Sequence, residues 1–115
     1  MIYDVKISEQ ARLDMKSIYE RIVYVIMEPS IAEKQYTRIE NAIYGLDQMP
    51  ERHRQYEKEP WRSRNLRVMP VDNYIVFYIV NNMERTVTAM RVMYGGRNIE
   101  KEFDDMAESE DSVLQ

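Results

Sequence analysis

Residues 74–80 read Tyr-Ile-Val-Phe-Tyr-Ile-Val, and this run decides the fold class. It is unbroken apolar and aromatic, and β-branched and aromatic side chains are those that favour strands. A strand that shows no alternation with polar residues is expected where both of its faces are covered. The run therefore predicts the central strand of a sheet that is packed on both sides.

Further strands are predicted on either side of this run. Residues 64–69 and 86–94 have the composition of strands, and residues 81–85 (Asn-Asn-Met-Glu-Arg) between them predict a hairpin turn. Residues 70–73 predict a second connection. Residues 2–7 are β-prone with partial alternation and predict a short first strand.

Two apolar stripes with helical spacing lie between the first strand and residue 50. Ser8 is a suitable N-cap for the first helix, which Glu28-Pro29-Ser30 is expected to end. Ser30 with Glu33 fits the capping box of a second helix, which ends near Met49-Pro50. A short connection between two amphipathic helices predicts an antiparallel hairpin. The stripes comprise Ala11, Met15, Ile18, Ile22 and Ile26, and then Ala32, Tyr36, Ile39, Ile43 and Leu46.

The order of these elements predicts an α+β fold. An N-terminal strand, an antiparallel α-helical hairpin and a three-stranded antiparallel meander are expected to pack as one sheet with its helices. Gly95-Gly96 ends the last strand, and residues 97–103 are expected to form one short C-terminal helix. Residues 1–103 then form a single domain, followed by an acidic tail, residues 104–115, that is expected to be disordered in isolation.

Composition and charge limit the classes of function. The chain contains no cysteine, which excludes disulfides, thiolate catalysis and sulfur-ligated metal sites, and no metal or cofactor is expected. No apolar run reaches the length of a membrane span, so a cytoplasmic location without membrane contact is expected. The net charge is −4, but residues 51–67 carry +3 and residues 104–115 carry −5. Polyanion binding is therefore not excluded, because the field near the basic segment is local.

Three motifs in the second half resemble the C-terminal half of RelE/ParE toxins. They are residues 65–68 (Asn-Leu-Arg-Val), 71–78 (Val-Asp-Asn-Tyr-Ile-Val-Phe-Tyr) and 91–100 (Arg-Val-Met-Tyr-Gly-Gly-Arg-Asn-Ile-Glu). Residues 29–32 and 46–50 match the start and the exit of the second helix in the same family. Their order and spacing together identify the chain as resembling the toxin of a type II toxin–antitoxin, or plasmid stabilisation, system.

The resemblance implies a cognate antitoxin as partner and two alternative modes of action. In the ribonuclease branch, basic and aromatic side chains on the concave face of the sheet cleave messenger RNA in the ribosomal A site and so inhibit translation. In the ParE branch, the same fold inhibits DNA gyrase without known cleavage chemistry. The fold alone does not choose between them.

Four residues are candidates for RNA cleavage, which needs a base for the 2′-hydroxyl, charge stabilisation at phosphorus and a proton donor for the leaving oxygen. Arg67 and Arg97 match two arginines of the ribonuclease branch, and a guanidinium suits charge stabilisation. Tyr94 occupies an aromatic position of that branch that stacks on a base or donates a proton. His53 is the only histidine. Structural roles remain open for all four: a strand residue, a cap, rim packing and an exposed loop residue.

The basic segment around His53 is a candidate RNA-binding surface, because cations interleaved with aromatic residues suit a phosphate backbone and unstacked bases. The alternative is a charged loop with Trp61 folded onto the core, which we favour for Trp61 itself. The candidate cations are Arg52, Arg54, Lys58, Arg62 and Arg64, and Tyr56 and Trp61 lie between them.

Two departures weaken the cleavage hypothesis. Ile75 stands where ribonuclease members often have an arginine, and Phe103 stands where they place a catalytic tyrosine. We therefore consider three hypotheses, in this order: a ribosome-dependent endoribonuclease (messenger RNA interferase), a gyrase inhibitor, and a degenerate toxin that only binds its antitoxin. Little separates the first two.

Overall fold

The computed structural model describes residues 2–96, 99, 101, 103 and 105. The strands are β1 (Asp4–Ile7), β2 (Leu66–Val71), β3 (Tyr74–Asn81) and β4 (Thr86–Tyr94), and the helices are α1 (Glu9–Arg21) and α2 (Pro29–Tyr44). Short helical turns follow α1 at Ile22–Ile26 (a π-helical turn) and α2 at Gly45–Asp47, and another lies at Pro50–Arg52. The predicted α+β fold is confirmed.

The four strands form one sheet in the order β1-β4-β3-β2. The β2–β3 and β3–β4 pairs are antiparallel, as the meander prediction requires, and β1 joins the sheet parallel to β4. Because β3 lies between β2 and β4, residues 74–80 do form a central strand. Among the residues that the structure describes, no helix combines the length and apolarity that crossing a bilayer needs.

The helical hairpin begins as predicted, with the Ser8 hydroxyl accepting a hydrogen bond from the Ala11 amide at 3.0 Å. The capping box at Ser30 is wrong, because Glu28 occupies the N-cap and Pro29 the first turn of α2. Proline suits that turn, since its missing N–H has no partner there in any case. The second helix also ends earlier than predicted, at Tyr44.

The connection predicted at residues 70–73 is shorter in the structure, because β2 continues through Pro70 to Val71. Proline is tolerated there because β2 is the outer strand of the sheet. The turn is confined to Asp72 and Asn73, and Asp72 has a φ of 57°. Gln35 and Arg38 of α2 hydrogen-bond its carboxylate at 3.0 and 2.6 Å, which ties this turn to the hairpin.

Each face of the sheet has its own apolar cluster. The first fills the space between the sheet and the helical hairpin. The second lies on the face away from the hairpin, where the loop before β2 and Phe103 cover it. The buried members are, in the first cluster, Ala11, Met15, Ile39, Ile43, Leu46, Met69, Val76, Tyr78, Val80, Val87, Ala89 and Val92, and in the second, Trp61, Leu66, Val68, Phe77, Met93 and Phe103.

A buried ion pair joins α1 to β4. The Arg91 guanidinium donates to both carboxylate oxygens of Asp14 at 2.8 and 3.1 Å, and the Val92 amide donates to the same carboxylate at 2.9 Å. Both side chains are about nine-tenths buried. Because a buried charge is costly without a partner, this pair holds α1 in position over the last strand.

The predicted C-terminal helix falls partly outside the described residues. Residues 99, 101, 103 and 105 are helical, and Phe103 is 1% exposed. The rest of residues 97–103 and nearly all of the acidic tail, residues 104–115, lie outside the part of the chain that the structure describes.

Candidate functional site

Arg67 lies on β2, and its guanidinium is held by the loop that precedes the strand. One terminal nitrogen (Nη1) donates to the carbonyl oxygens of Glu51 and His53 at 3.0 and 2.8 Å, and the other (Nη2) contacts the Glu51 carboxylate at 3.0 Å. Nε donates to the Asn65 side chain at 3.1 Å. Four of the five N–H donors that an arginine offers are therefore engaged, and the side chain is only 15% exposed. Arg67 is built into the protein as a loop anchor.

The Glu51 carboxylate belongs to the same network. Hydrogen bonds from the Asn82 and Asn65 side chains, together with the charge of Arg67, lower the pKa of Glu51 below its ordinary value of 4.5. A carboxylate with a lowered pKa is a weak base. Glu51 therefore holds the loop in place and is poorly suited to removing a proton from substrate.

Tyr78 of β3 also anchors the loop that precedes β2. Its hydroxyl donates to the Pro50 carbonyl oxygen at 2.5 Å, and burial raises the pKa of Tyr78 to about 12. The His53 ring packs edge-on against Tyr78 with 6.3 Å between ring centroids. Burial, and secondarily the charge of Arg52, lowers the pKa of His53 from 6.5, so that its ring is neutral at pH 7. Because the His53 carbonyl oxygen accepts a hydrogen bond from Arg67, the structure brings these two candidate residues together.

Tyr94 does not join this group. It pairs with Tyr74 at the far end of β3, whereas Arg67 pairs with Tyr78. Four residues along the sheet and two strands across it correspond to a backbone separation of roughly 15 Å. The Tyr94 ring stacks edge-on with Tyr74, 6.0 Å between centroids, and about half of its surface is exposed. Arg97, the second candidate arginine, lies outside the described residues.

The predicted RNA-binding cations have different environments. Arg52 donates to the carbonyl oxygens of Gln48 and Met49 at 2.6 and 3.2 Å and so closes the turn after α2. Arg64 stacks over the Trp61 ring with its guanidinium carbon 5.0 Å from the ring centroid. Both contacts are intramolecular, so these two side chains stabilise the loop.

Arg54 and Arg62 form a pair at one exposed cavity. The cavity has a volume of about 510 Å³ and is lined also by Gln55, Tyr56 and Glu57. A hydrogen bond from the Gln55 side chain to the Arg62 carbonyl, 3.1 Å long, joins the two sides. Within the part of the chain that the structure describes, neither guanidinium has an ion-pair partner. Lys58, the fifth predicted cation, is exposed and does not line this cavity.

The two positions where the ribonuclease branch was expected to have an arginine and a tyrosine have an apolar environment on the face of the sheet away from the hairpin. Ile75 packs against the second cluster, and Phe103 lies within it, 4.6 Å from the Phe77 ring centroid. Trp61 is buried, as predicted, and Tyr56 contacts both Phe77 and Phe103. The aromatic residues of the basic segment thus form core, and their rings are not free to stack on bases.

Sequence reasoning missed an exposed apolar patch at the tip of the helical hairpin. We define the hairpin tip as Tyr24, Val25, Ile26, Met27 and Ile31, whose exposed fractions range from 47% to 77%. The π-helical turn Ile22–Ile26 presents this patch, and Met27 with a φ of 60° ends it. Adjacent large apolar residues that face solvent mark interaction surfaces. The unbroken run at residues 22–27 was an available signal for it.

A groove connects the hairpin tip to the end of the sheet. It has a volume of about 510 Å³, and its lining includes Arg21 and Ile26 on one side and Tyr74 and Tyr94 on the other. A Cβ at Gly96 would lie 2.7 Å from the Tyr94 ring, so glycine lets this ring fold back over the chain. In the described residues, no cluster of three or more histidine or acidic side chains is arranged to hold a metal ion.

Comparison with known proteins identifies a family for this sequence and similar structures for this fold. The sequence matches the family model described as "ParE toxin of type II toxin-antitoxin system, parDE" over residues 5–99. No curated protein gives a significant match. The fold is similar to a chromosomal ParDE toxin–antitoxin system from P. aeruginosa, with a TM-score of 0.66 and 19% identity over 81% of this chain and 96% of the other.

Two RelE-type structures also share the fold. The archaeal RelE–RelB complex from Pyrococcus horikoshii OT3 gives a TM-score of 0.60 and 20% identity, covering 84% of this chain and 99% of the other. The toxin–antitoxin complex RelBE2 from Mycobacterium tuberculosis gives 0.56 and 20%, covering 82% and 99%. At these identities the likeness concerns the fold alone.

Proposed function

Because the chain belongs to the ParE toxin family of type II toxin–antitoxin systems, we propose that it arrests growth by binding a macromolecular target and does not cut RNA. DNA gyrase is the target that the family resemblance implies. The observation that carries this proposal is the apolar cover on the sheet face away from the hairpin, which includes Ile75 and Phe103. This reverses the order of hypotheses that the sequence suggested.

The environment of Arg67 supports the same proposal. Stabilising a phosphorane requires donors that point at the developing charge without having to leave other partners first. Arg67 already donates to Glu51, His53 and Asn65. A substrate phosphate would have to displace these contacts, and Tyr94 is too distant to act on the same phosphate.

Messenger RNA cleavage is the competing hypothesis. It rests on Arg97, which lies outside the described residues, and on the cavity between Arg54 and Arg62. Two cations beside one cavity suit a phosphate backbone. An arginine stays protonated and so cannot act as a base. The cavity wall also holds the Glu57 carboxylate, and the Tyr56 ring beside it packs against Phe77 and Phe103.

We propose that the cognate antitoxin covers the hairpin tip. The M. tuberculosis structure is described as a toxin–antitoxin complex, and the P. horikoshii structure as a RelE–RelB complex. The tip offers a contiguous apolar patch, and burial of such surface is the main favourable term in association. An antitoxin segment with apolar side chains at helical spacing would fit a patch built on a helical turn.

The proposal is tested with purified toxin freed from its antitoxin. Supercoiling of relaxed plasmid by DNA gyrase is measured against toxin concentration, and inhibition is expected. The same toxin preincubated with antitoxin is the matched control and should leave supercoiling intact. Relaxation by a type I topoisomerase controls for effects on DNA itself. Unimpaired supercoiling by a toxin preparation that arrests growth would reject gyrase as the target.

A further inference from the structure

The groove between the hairpin tip and the end of the sheet is lined by two charged side chains, and only one of them is neutralised. The Asp14 carboxylate is engaged by the Arg91 guanidinium and by the Val92 amide. Arg21, in the last turn of α1, is exposed, and within the described part of the chain its guanidinium has no ion pair and no hydrogen bond. The uncompensated charge of this described lining is therefore positive.

The wall of the groove that faces α1 offers hydroxyl donors. Tyr74 and Tyr94 line this wall with their rings edge-on, 6.0 Å between centroids. Burial raises the pKa of Tyr74 above its ordinary value of 10, although the charge of Arg21 acts in the opposite direction. The Tyr74 phenol is therefore protonated at pH 7 and able to donate a hydrogen bond. Because the charge of Arg21 acts on this phenol, the cation and the hydroxyl are close enough to serve one ligand.

The rest of the described lining is largely apolar and continues into the hairpin tip. Ile18 and Val92 line the groove, and Ile26 belongs both to the groove and to the hairpin tip. A polypeptide segment that covers the tip can therefore extend into the groove without leaving apolar surface. A single cation beside phenolic donors suits one carboxylate, whereas a polyanion is bound by several cations.

We propose that this groove binds an aspartate or glutamate side chain of the antitoxin, with Arg21 as its ion-pair partner and the Tyr74 hydroxyl as a second donor. The inference rests on the proposed docking of the antitoxin at the hairpin tip and names the polar contact beside it. Hydrogen bonds between charged groups are stronger than those between neutral groups. Arg21 also discriminates between partners, because an antitoxin with a neutral or basic residue at this point leaves the guanidinium covered and unpaired.

Binding of the cognate antitoxin, dissociated from the purified complex, tests the inference. Its Kd is measured by calorimetry in low salt, and the urea midpoint of each toxin variant shows that the variant is folded. Arg21→Gln should weaken binding at least about tenfold, the size expected for the loss of one hydrogen-bonded charge pair. Arg62→Gln is the matched control, since it removes an exposed arginine that lines a different cavity, and it should keep the affinity. Equal affinities of the Arg21→Gln and unmodified toxins would overturn the inference.

A double-mutant cycle identifies the acidic partner of Arg21. Each aspartate and glutamate of the antitoxin is replaced in turn by its amide, and each product is titrated into the unmodified and the Arg21→Gln toxins. One replacement should weaken binding to the unmodified toxin and leave binding to Arg21→Gln unchanged, because the pair is already broken there. If every replacement had the same effect on both toxins, Arg21 would have no acidic partner and the inference would fail.

The variant Tyr24→Ser separates this inference from the docking on which it rests, because Tyr24 belongs to the hairpin tip and does not line the groove. Loss of affinity in both Tyr24→Ser and Arg21→Gln supports the docking and the carboxylate site together. If only Tyr24→Ser weakens binding, the antitoxin covers the tip and the carboxylate site alone is rejected. If neither substitution weakens binding, docking at the tip is rejected as well.

Discussion

Replacing Arg67 with alanine tests whether this residue anchors a loop or serves a substrate. The substitution removes four hydrogen bonds. The bonds to the Glu51 carbonyl and carboxylate are exposed, so water can replace them at little cost. Those to the His53 carbonyl and the Asn65 side chain are partly buried, and each is worth about 1 kcal/mol. We expect Arg67→Ala to lower the free energy of unfolding by about 2 kcal/mol.

The assay is urea unfolding at pH 7 and low salt, followed by tryptophan fluorescence and circular dichroism. A loss of about 2 kcal/mol should also lower Tm by roughly 6–10 °C in a domain of this size. Arg54→Ala is the matched control, since it removes an exposed cation of the same segment, and it should change stability by less than about 0.5 kcal/mol. Arg67→Lys should lose part of the stability too, because an ammonium group lacks the planar fork.

Unchanged stability of the variant would show that Arg67 does not anchor the loop. If Arg67→Ala unfolded at the same urea concentration as the unmodified protein, the loop contacts would contribute nothing. If the variant also lost toxicity while keeping its stability, Arg67 would have to be a residue that touches the target. We expect instead that the toxicity of Arg67→Ala falls only in proportion to the fraction unfolded.

Three further predictions concern the ion pair, the histidine and the hairpin tip. Asp14→Asn should lower the free energy of unfolding by about 3–5 kcal/mol in urea, because it removes the negative charge beside the buried Arg91 guanidinium. Lys16→Gln is the control; it breaks an exposed ion pair and should cost below about 0.5 kcal/mol. Equal effects of the two substitutions would contradict the burial of the Asp14–Arg91 pair. Partial burial lowers the pKa of His53, so its contribution to stability is complete above the unfolded value of 6.5 and is lost as pH falls below it. His53→Gln should therefore flatten the pH dependence of the urea midpoint between pH 7.5 and 5. An unchanged slope would show that the pKa of His53 is not lowered in the folded protein. Tyr24→Ser should weaken antitoxin binding, measured by calorimetry, at least about tenfold. It should change the free energy of unfolding by less than about 0.5 kcal/mol, because the side chain is exposed. Undiminished affinity would show that the hairpin tip is not part of the antitoxin interface.

Local patterns were sufficient to predict most of the fold. The unbroken run at residues 74–80 predicted a central strand because only a strand covered on both faces tolerates such a composition. Ser8 predicted the start of α1 because its hydroxyl caps the first turn. These signals come from residues adjacent in sequence, and the structure confirms both.

Boundaries set by competing local signals were harder to predict. Ser30 and Glu33 fit a capping box, but Pro29 is better placed in the first turn and moves the N-cap to Glu28. Pro70 predicted a break in the strand, but it lies on the outer strand of the sheet, where a residue without an N–H donor is tolerated. In both cases the deciding factor was the position of the residue in the whole fold.

The candidate site depends on contacts between distant residues, and the sequence could not predict them. Arg67 lies 16 and 14 positions from Glu51 and His53, and nothing in the local pattern shows that their carbonyl oxygens converge on its guanidinium. Only the family motif suggested that Tyr94 and Arg67 act at the same site. The register of β3 with its neighbours separates the two.

Whether the free toxin cuts RNA is measured by incubating it with a defined transcript on translating ribosomes and mapping all 5′ ends. The toxin must be one whose expression arrests growth. Its antitoxin-bound form is the control. We expect identical end maps for the two samples, with the transcript intact. New 5′ ends that depend on free toxin and on translation would contradict it and would restore messenger RNA cleavage as the function.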